Sequence, residues 1–177
     1  RQALLAGRVE RQARYDDGTA MTRDAVADQL LTLLAAGHET TATTLAWTVE
    51  RIIRHPRLLA RLVAEADEGG SDLRKATITE VLRTRPVGDA TGRRVTGERF
   101  AIGPWVLPRG YCVVASIRLV HNDAAVFPDP AAFDPDRFLG ANPDTYSWIP
   151  FGGGTRRCIG AAFAMMEMDV VLRTLLQ

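Results

Sequence analysis

Apolar residues recur along most of this 177-residue chain at helical rather than alternating intervals, and prolines and glycines cut the pattern into segments. Thr22 suits an N-cap with Asp24 in the first turn, and from it the helical pattern runs without a proline to Arg54, about 33 residues or roughly 50 Å. Its centre, Leu30 to Ala36, is apolar nearly all round, which predicts burial rather than a surface stripe. Pro56 ends that helix and opens another through Ala66, before Gly69-Gly70. A third helix is predicted from Ser71 to Thr84, broken by Pro86. Residues 100 to 118 read as short strands, with Leu107-Pro108-Arg109-Gly110 as a turn and Tyr111 to Ser116 as the return strand. A proline-rich meander, Pro128 to Pro143, leads to a glycine-rich loop. After Gly160 the unbroken stretch Ala161 to Leu172 predicts a last helix, with Met165, Met166 and Met168 in its core. Residues 1 to 20 read as the end of a helix (Leu4, Leu5, Val9) and a polar turn at Asp16-Asp17-Gly18. The expected fold is mainly α with small β-sheets.

Composition alters this picture little. An apolar fraction of 46% and 22 basic against 21 acidic side chains describe an ordinary globular chain with one core. The net charge of +1 leaves no electrostatic footprint for nucleic acid. No apolar run reaches the roughly 20 residues of a membrane span, and two cysteines argue against a secreted disulfide scaffold, so a cytoplasmic location is expected. The chain begins without a methionine or a signal-peptide pattern, so its N-terminus reads as missing or processed.

Candidate chemistry gathers in three places. The loop Phe151-Gly152-Gly153-Gly154-Thr155-Arg156-Arg157-Cys158-Ile159-Gly160 places three glycines before one cysteine. Glycines in such a run serve a backbone that needs positive φ or must lie close against a flat or bulky group. Cys158 then falls at or just before a helix N-terminus, where unpaired amides favour a thiolate. Taken alone, it also fits a disulfide with Cys112, 46 positions earlier, or an inert buried thiol. A phosphate loop is not indicated, because neither the Walker nor the dinucleotide spacing is completed.

The second place is Gly37-His38-Glu39-Thr40-Thr41, a glycine, an acid and two threonines in the middle of an apolar helix. Glycine costs about 1 kcal/mol relative to alanine there, and threonine hydroxyls bond back to the preceding turn. Either this is a polar patch at a helix-packing seam, with both threonines satisfied by backbone, or it is functional. His38 reads as structural. The third place is Glu80-Val81-Leu82-Arg83, whose spacing puts Glu80 and Arg83 on one helix face. In isolation that is a surface ion pair worth under about 1 kcal/mol. Cys112 reads as plain strand packing, and His121, placed in a loop before Asn122-Asp123, has no second metal ligand nearby.

Together these motifs resemble the cytochrome P-450 superfamily over nearly the whole chain. Phe151, Gly154, Arg156, Cys158 and Gly160 match its haem-binding signature, Ala36 to Thr41 is similar to its oxygen-binding motif, and Glu80 and Arg83 match its Glu-x-x-Arg motif. The resemblance implies a partial P-450 fold and haem b with Cys158 as thiolate ligand of the iron. It implies that Arg156 pairs with a propionate, Arg93 with the second, and that Phe151 packs on the sulfur side of the porphyrin. Gly37 would give room over the haem, Thr40 would bond bound oxygen or water, and Glu39 would feed the proton relay. Arg137, in Pro135-Asp136-Arg137-Phe138, would complete a structural network with Glu80 and Arg83. Ala36 and Thr41 on the long helix, and the stretch from Pro86 to Thr91 with Val87 and Gly88, would line the substrate pocket. Residues 1–177 would be the C-terminal part of a single catalytic domain, lacking the N-terminal half and the terminal β-hairpin, and inactive alone. The implied reaction is insertion of one atom of O2 into a small lipophilic substrate, with electrons from a ferredoxin and its reductase or from a flavodoxin. A haem-thiolate isomerase, a peroxygenase, or a truncated remnant unable to hold haem are the alternatives.

Overall fold

The computed structural model describes residues 13–177, so the helix end expected at Leu4, Leu5 and Val9 lies outside the described residues. The chain divides between Thr40 and Thr41 into two compact units. In the first, a bridge pairs Arg14 with Ala20 around a turn in which Gly18 adopts φ +83°. Asp17 Oδ1 accepts from the Thr19 amide at 2.9 Å and its hydroxyl at 2.7 Å, and these bonds hold the Asp17 carboxyl below its ordinary pKa. Helix α1, Arg23–Arg54, then begins where the sequence predicts. Thr22 caps it, accepting from the Ala25 amide at 3.2 Å.

Burial of the apolar stretch in α1 is not observed. Leu30, Leu31, Leu33 and Leu34 are 54%, 63%, 50% and 68% exposed, because no described residue covers them.

The second unit starts with the remainder of α1, which contributes Leu45 and Ile52 to the core. It continues through α2 (Pro56–Asp67) and α3 (Asp72–Thr84), four strands, a short helix α4 (Ile117–His121), two 3-10 turns and α5 (Ala161–Leu176). Pro56 stands at the first position of α2, where its missing N–H is no loss. Leu58 and Leu62 of α2, Leu73, Ile78 and Leu82 of α3, and Met168 and Leu172 of α5 interlock as the core. Each fully buried leucine or isoleucine in such a cluster contributes about 1.5–3 kcal/mol of transfer free energy.

Helix α3 lies at the centre: ten of its 13 residues are buried. Its N-cap, Ser71, makes no capping bond through its side chain. Instead the Glu65 carboxylate of α2 receives the Leu73 amide at 2.6 Å and the Arg74 amide at 3.0 Å, placing a negative charge at the positive helix end. Gly70 is required beside it, since a Cβ there would stand 2.7 Å from Glu65 Cγ. Arg74, 2% exposed, reaches Asp169 of α5 at 2.6 Å and so ties the last helix to α3.

The sheets are two antiparallel ribbons. Strand β1 (Ala90–Arg94) pairs with β4 (Cys112–Ser116), from Ala90 opposite Ser116 to Arg94 opposite Cys112. Strands β2 (Arg99–Ile102) and β3 (Trp105–Pro108) form a hairpin closed by Gly103-Pro104. Gly103, at φ +54°, takes the left-handed first position that a two-residue hairpin turn needs.

Several expectations are therefore corrected. The turn expected at 107–110 is present but shifted by about one residue: Leu107 and Pro108 close β3, Gly110 adopts φ +94°, and the Tyr111 amide bonds to Pro108 O at 3.4 Å before β4 begins at Cys112, whereas the earlier reversal at Gly103-Pro104 and the strand β1 were not foreseen. Cys112 is exposed rather than packed, because no layer covers the β1–β4 ribbon there, though its Sγ would lie 3.3 Å from a Cβ at Gly92. Met168 is buried and Met165 packs on the core, but Met166 points outward, 56% exposed.

Candidate functional site

The cysteine loop takes its shape from its glycines. Gly152 and Gly154 adopt φ +70° and +63°, conformations that strain any side-chain-bearing residue, while Gly153 is extended. Gly154–Arg156 form a 3-10 turn, and the Cys158 amide then bonds back to the Phe151 carbonyl at 2.9 Å, closing the loop. Gly160 is the N-cap of α5, so Cys158 sits two residues before the helix cap, and its Sγ would lie 3.9 Å from a Cβ at Gly160. The thiol is free and exposed. The disulfide and buried-thiol readings of Cys158 are thus excluded. Arg156 is exposed and forms no hydrogen bond or ion pair with another described residue. Phe151 is half-buried against Trp148, ring centroids 5.9 Å apart and edge-on, and both pack on the core.

The ion-pair motif is not on the surface. Glu80 and Arg83 side chains are 0% exposed, joined by Nε–H to Oε2 and Nη2–H to Oε1 bonds of 2.7 Å each. The three remaining guanidinium donors reach the carbonyls of His121 (2.9 Å), Pro130 (2.9 Å) and Ala132 (3.0 Å). All five Arg83 donors are thereby used, the condition under which a buried charge is tolerable. Glu80 Oε1 also receives the Asp134 amide at 3.0 Å and, more loosely, Arg137 Nε at 3.4 Å. Arg137 holds the meander as well, donating to Pro128 and Asp129 carbonyls.

Thr40, in the first unit, is exposed and donates its hydroxyl to Ala36 O at 2.9 Å, with a second approach to Gly37 O at 3.3 Å. Ala36, Gly37 and Glu39 are exposed on the same unbroken helix, and a Cβ at Gly37 would meet nothing within 4 Å. In the second unit Thr41 is 7% exposed. Val87 and Gly88 are exposed between α3 and β1. Arg93 lies on β1 and turns its guanidinium onto the Thr91 hydroxyl and Gly92 carbonyl, at 2.9 and 2.8 Å.

Sequence reasoning placed His121 in a loop and gave it no structural role. It is the last residue of α4 rather than part of a loop, is fully buried, and belongs to no metal-ligating cluster among the described residues. Its Nδ1 stands 3.1 Å from Arg83 O and its Nε2 receives the Ile149 amide at 2.9 Å. Burial, then the neighbouring Arg83 charge, lowers its pKa to about 4 against an opposing bond to the Arg83 carbonyl, so the ring is neutral. Trp148 was overlooked: its indole N–H donates to Thr79 O at 3.1 Å. Both side chains bridge segments far apart in sequence, and neither sits in a local pattern that announces it.

Chemically, the loop offers one exposed soft donor, with the exposed Arg156 cation two residues away. No helix among the described residues is long and apolar enough to cross a membrane.

The family model described as cytochrome P-450 matches residues 2–177. A Mycobacterium tuberculosis protein provisionally named cytochrome P-450 138 is 57% identical over 166 residues, covering 94% of this chain and 38% of that protein. A Mycobacterium bovis protein provisionally named cytochrome P-450 135B1 is 48% identical over 172 residues, covering 94% and 36%. A Mycobacterium tuberculosis protein provisionally named cytochrome P-450 137 is 44% identical over 165 residues, covering 93% and 34%. The chain spans a little over a third of the length of these relatives.

Proposed function

Since the chain belongs to the cytochrome P-450 family, we propose that it is the C-terminal part of the catalytic domain of a haem-thiolate monooxygenase. The reaction inserts one oxygen atom from O2 into a small lipophilic substrate, with electrons from a separate ferredoxin or flavodoxin system. The observation that carries this reading is the free, exposed Cys158 thiol at the end of a loop shaped by positive-φ glycines. The residues fit haem b: Cys158 would supply a thiolate for the iron, Arg156 a guanidinium for a propionate, and Arg93, now bonded to Thr91 and Gly92, a second cation. When bound, the haem supplies the binding and reductive splitting of dioxygen, which a thiolate ligand favours.

The chain's own residues supply position and protons. Phe151, braced edge-on by Trp148, gives the sulfur side of the loop an apolar wall. Gly37 leaves open space on α1. The Thr40 hydroxyl holds a proton that it shares with Ala36 O, and Glu39 beside it is the acid that replenishes it. Glu80, Arg83 and Arg137 hold the meander that leads into the loop, a structural rather than catalytic role.

A peroxygenase or isomerase is the second reading, favoured by the unbroken α1, in which the Thr40 hydroxyl is committed to the backbone. The carbon monoxide difference spectrum of the reduced full-length protein tests the haem assignment. It should show the band of a thiolate-ligated carbonyl complex, lost in Cys158→Ser and kept in Cys112→Ser. A Cys158→Ser protein with the band unchanged refutes the assignment.

A further inference from the structure

Helix α3 ends at Thr84, so the Arg83 carbonyl has no partner in its own helix, and orphan carbonyls at a buried helix end need a donor from elsewhere. His121 provides it. A carbonyl only accepts, so the Nδ1 that stands 3.1 Å from Arg83 O carries the ring proton. Nε2 is then the bare nitrogen, and it accepts from the Ile149 amide at 2.9 Å. One tautomer satisfies both bonds, and the reverse tautomer satisfies neither. The His121 carbonyl in turn accepts from Arg83 Nη1 at 2.9 Å, so the two residues grip each other at two points.

From Ile149 the path continues into the cysteine loop. The Gly152 amide donates to Ile149 O at 3.0 Å, and the Cys158 amide donates to Phe151 O at 2.9 Å. One residue earlier, Trp148 Nε1 donates to Thr79 O, four residues before Arg83 and hence one turn away on the same helix. The chain approaching the loop is therefore fastened to α3 at two successive turns, once through an indole and once through an imidazole.

We infer that His121 is a positioning residue for the Cys158 loop: its Nδ1-protonated ring links the end of α3 to the Ile149 amide and so fixes where the loop begins. The inference rests on the ligand role proposed for Cys158. A residue that merely fills the core would need only its volume, whereas this role needs an acceptor at the Nε2 position. His121→Gln restores such an acceptor, His121→Asn can reach only the Arg83 carbonyl, and His121→Phe keeps the volume and neither bond.

The experiment uses the full-length haem-loaded protein and its three variants. Nitrogen-15 spectra of the wild-type His121 ring should show the Nδ1-protonated tautomer, and this needs no variant to fold. Exchange of the Ile149 amide should be slow in wild type and His121→Gln, and lose its protection in His121→Asn and His121→Phe. Haem loss to an acceptor protein should follow the same order, roughly 10-fold faster in Asn and Phe than in Gln, as when a partner of a metal ligand is removed. An Nε2-protonated ring, or Ile149 protection that survives His121→Phe, overturns the positioning role alone. Absence of a thiolate carbonyl band in the wild-type protein overturns it through Cys158 instead, so the two failures are told apart.

Discussion

At the scale of single residues, Arg83 and His121 are held in the interior by complete bonding rather than by charge alone. His121 has a definite consequence for pH. Its pKa falls from an ordinary 6.5 to about 4 because burial disfavours the imidazolium. The unfolded chain therefore binds the proton first, and stability is fully present above pH 6.5 and declines as pH falls towards 4. At about 1.4 kcal/mol for each pH unit the loss amounts to about 3 kcal/mol. Urea midpoints recorded across that window should show the decline in wild type and its absence in His121→Gln; parallel curves would contradict a neutral buried ring. Thr40 makes the complementary prediction for function. Its hydroxyl, bonded to Ala36 O, can be redirected because back-bonding to a helix carbonyl is weak. Thr40→Ala in the full-length protein should keep haem and substrate binding, lower product formation by about 10²–10⁴, and divert reducing equivalents into peroxide. Tightly coupled turnover in that variant would favour the peroxygenase or isomerase reading.

Among elements, α3 is the post to which the rest of the second unit is fixed. Glu65 caps its first turn, Arg74 binds α5, Thr79 takes Trp148, and Arg83 takes α4 and the meander. The Glu80–Arg83–Arg137 network is graded within this scheme. Arg83 makes five short bonds with no exposure, so Arg83→Ala strands a buried carboxylate and three carbonyls and should cost about 3–5 kcal/mol. Arg137 sits 3.4 Å from Glu80 and is partly exposed, so Arg137→Ala should cost only about 1–2 kcal/mol. Denaturant titration of both variants, with haem content, checks the ranking; equal losses would mean that Arg137 bears as much of Glu80 as Arg83 does. Helix limits at Thr22, Pro56 and Pro86 were legible because cap and proline chemistry is local. The Pro108-Arg109-Gly110 turn was legible from its proline and glycine; the Gly103-Pro104 reversal before it was masked by that stronger signal, and β1 by its polar composition, since a two-stranded ribbon has no alternating apolar face to advertise it.

Across the whole molecule, the same limit of local reading separates motif from partner. The sequence pointed to Cys158, Glu80 and Arg83 because their spacings are fixed by one loop and one helical turn. It could not point to His121 or Trp148, whose bonds join residues 38, 28 and 69 positions apart. Nor could it tell whether the leucines of α1 have a covering surface, since an all-round apolar helix specifies that it needs one without specifying where it is. In the chain as it stands Leu30, Leu31, Leu33 and Leu34 are uncovered, together with Phe163 and Ile159 near the cysteine loop. Exposed apolar side chains grouped on one helix, as the four leucines are, drive association, because each leucine removed from water contributes about 1.5–3 kcal/mol. The 177-residue chain prepared alone should therefore self-associate, with light scattering rising steeply with concentration. Replacing Leu31 and Leu34, the two most exposed of the four, by glutamate should suppress the scattering while leaving the helical circular dichroism of the chain unchanged. Undiminished association in the double variant would place the sticky surface elsewhere, with the β2–β3 hairpin, where Trp105 is 70% exposed, as the next stretch to alter.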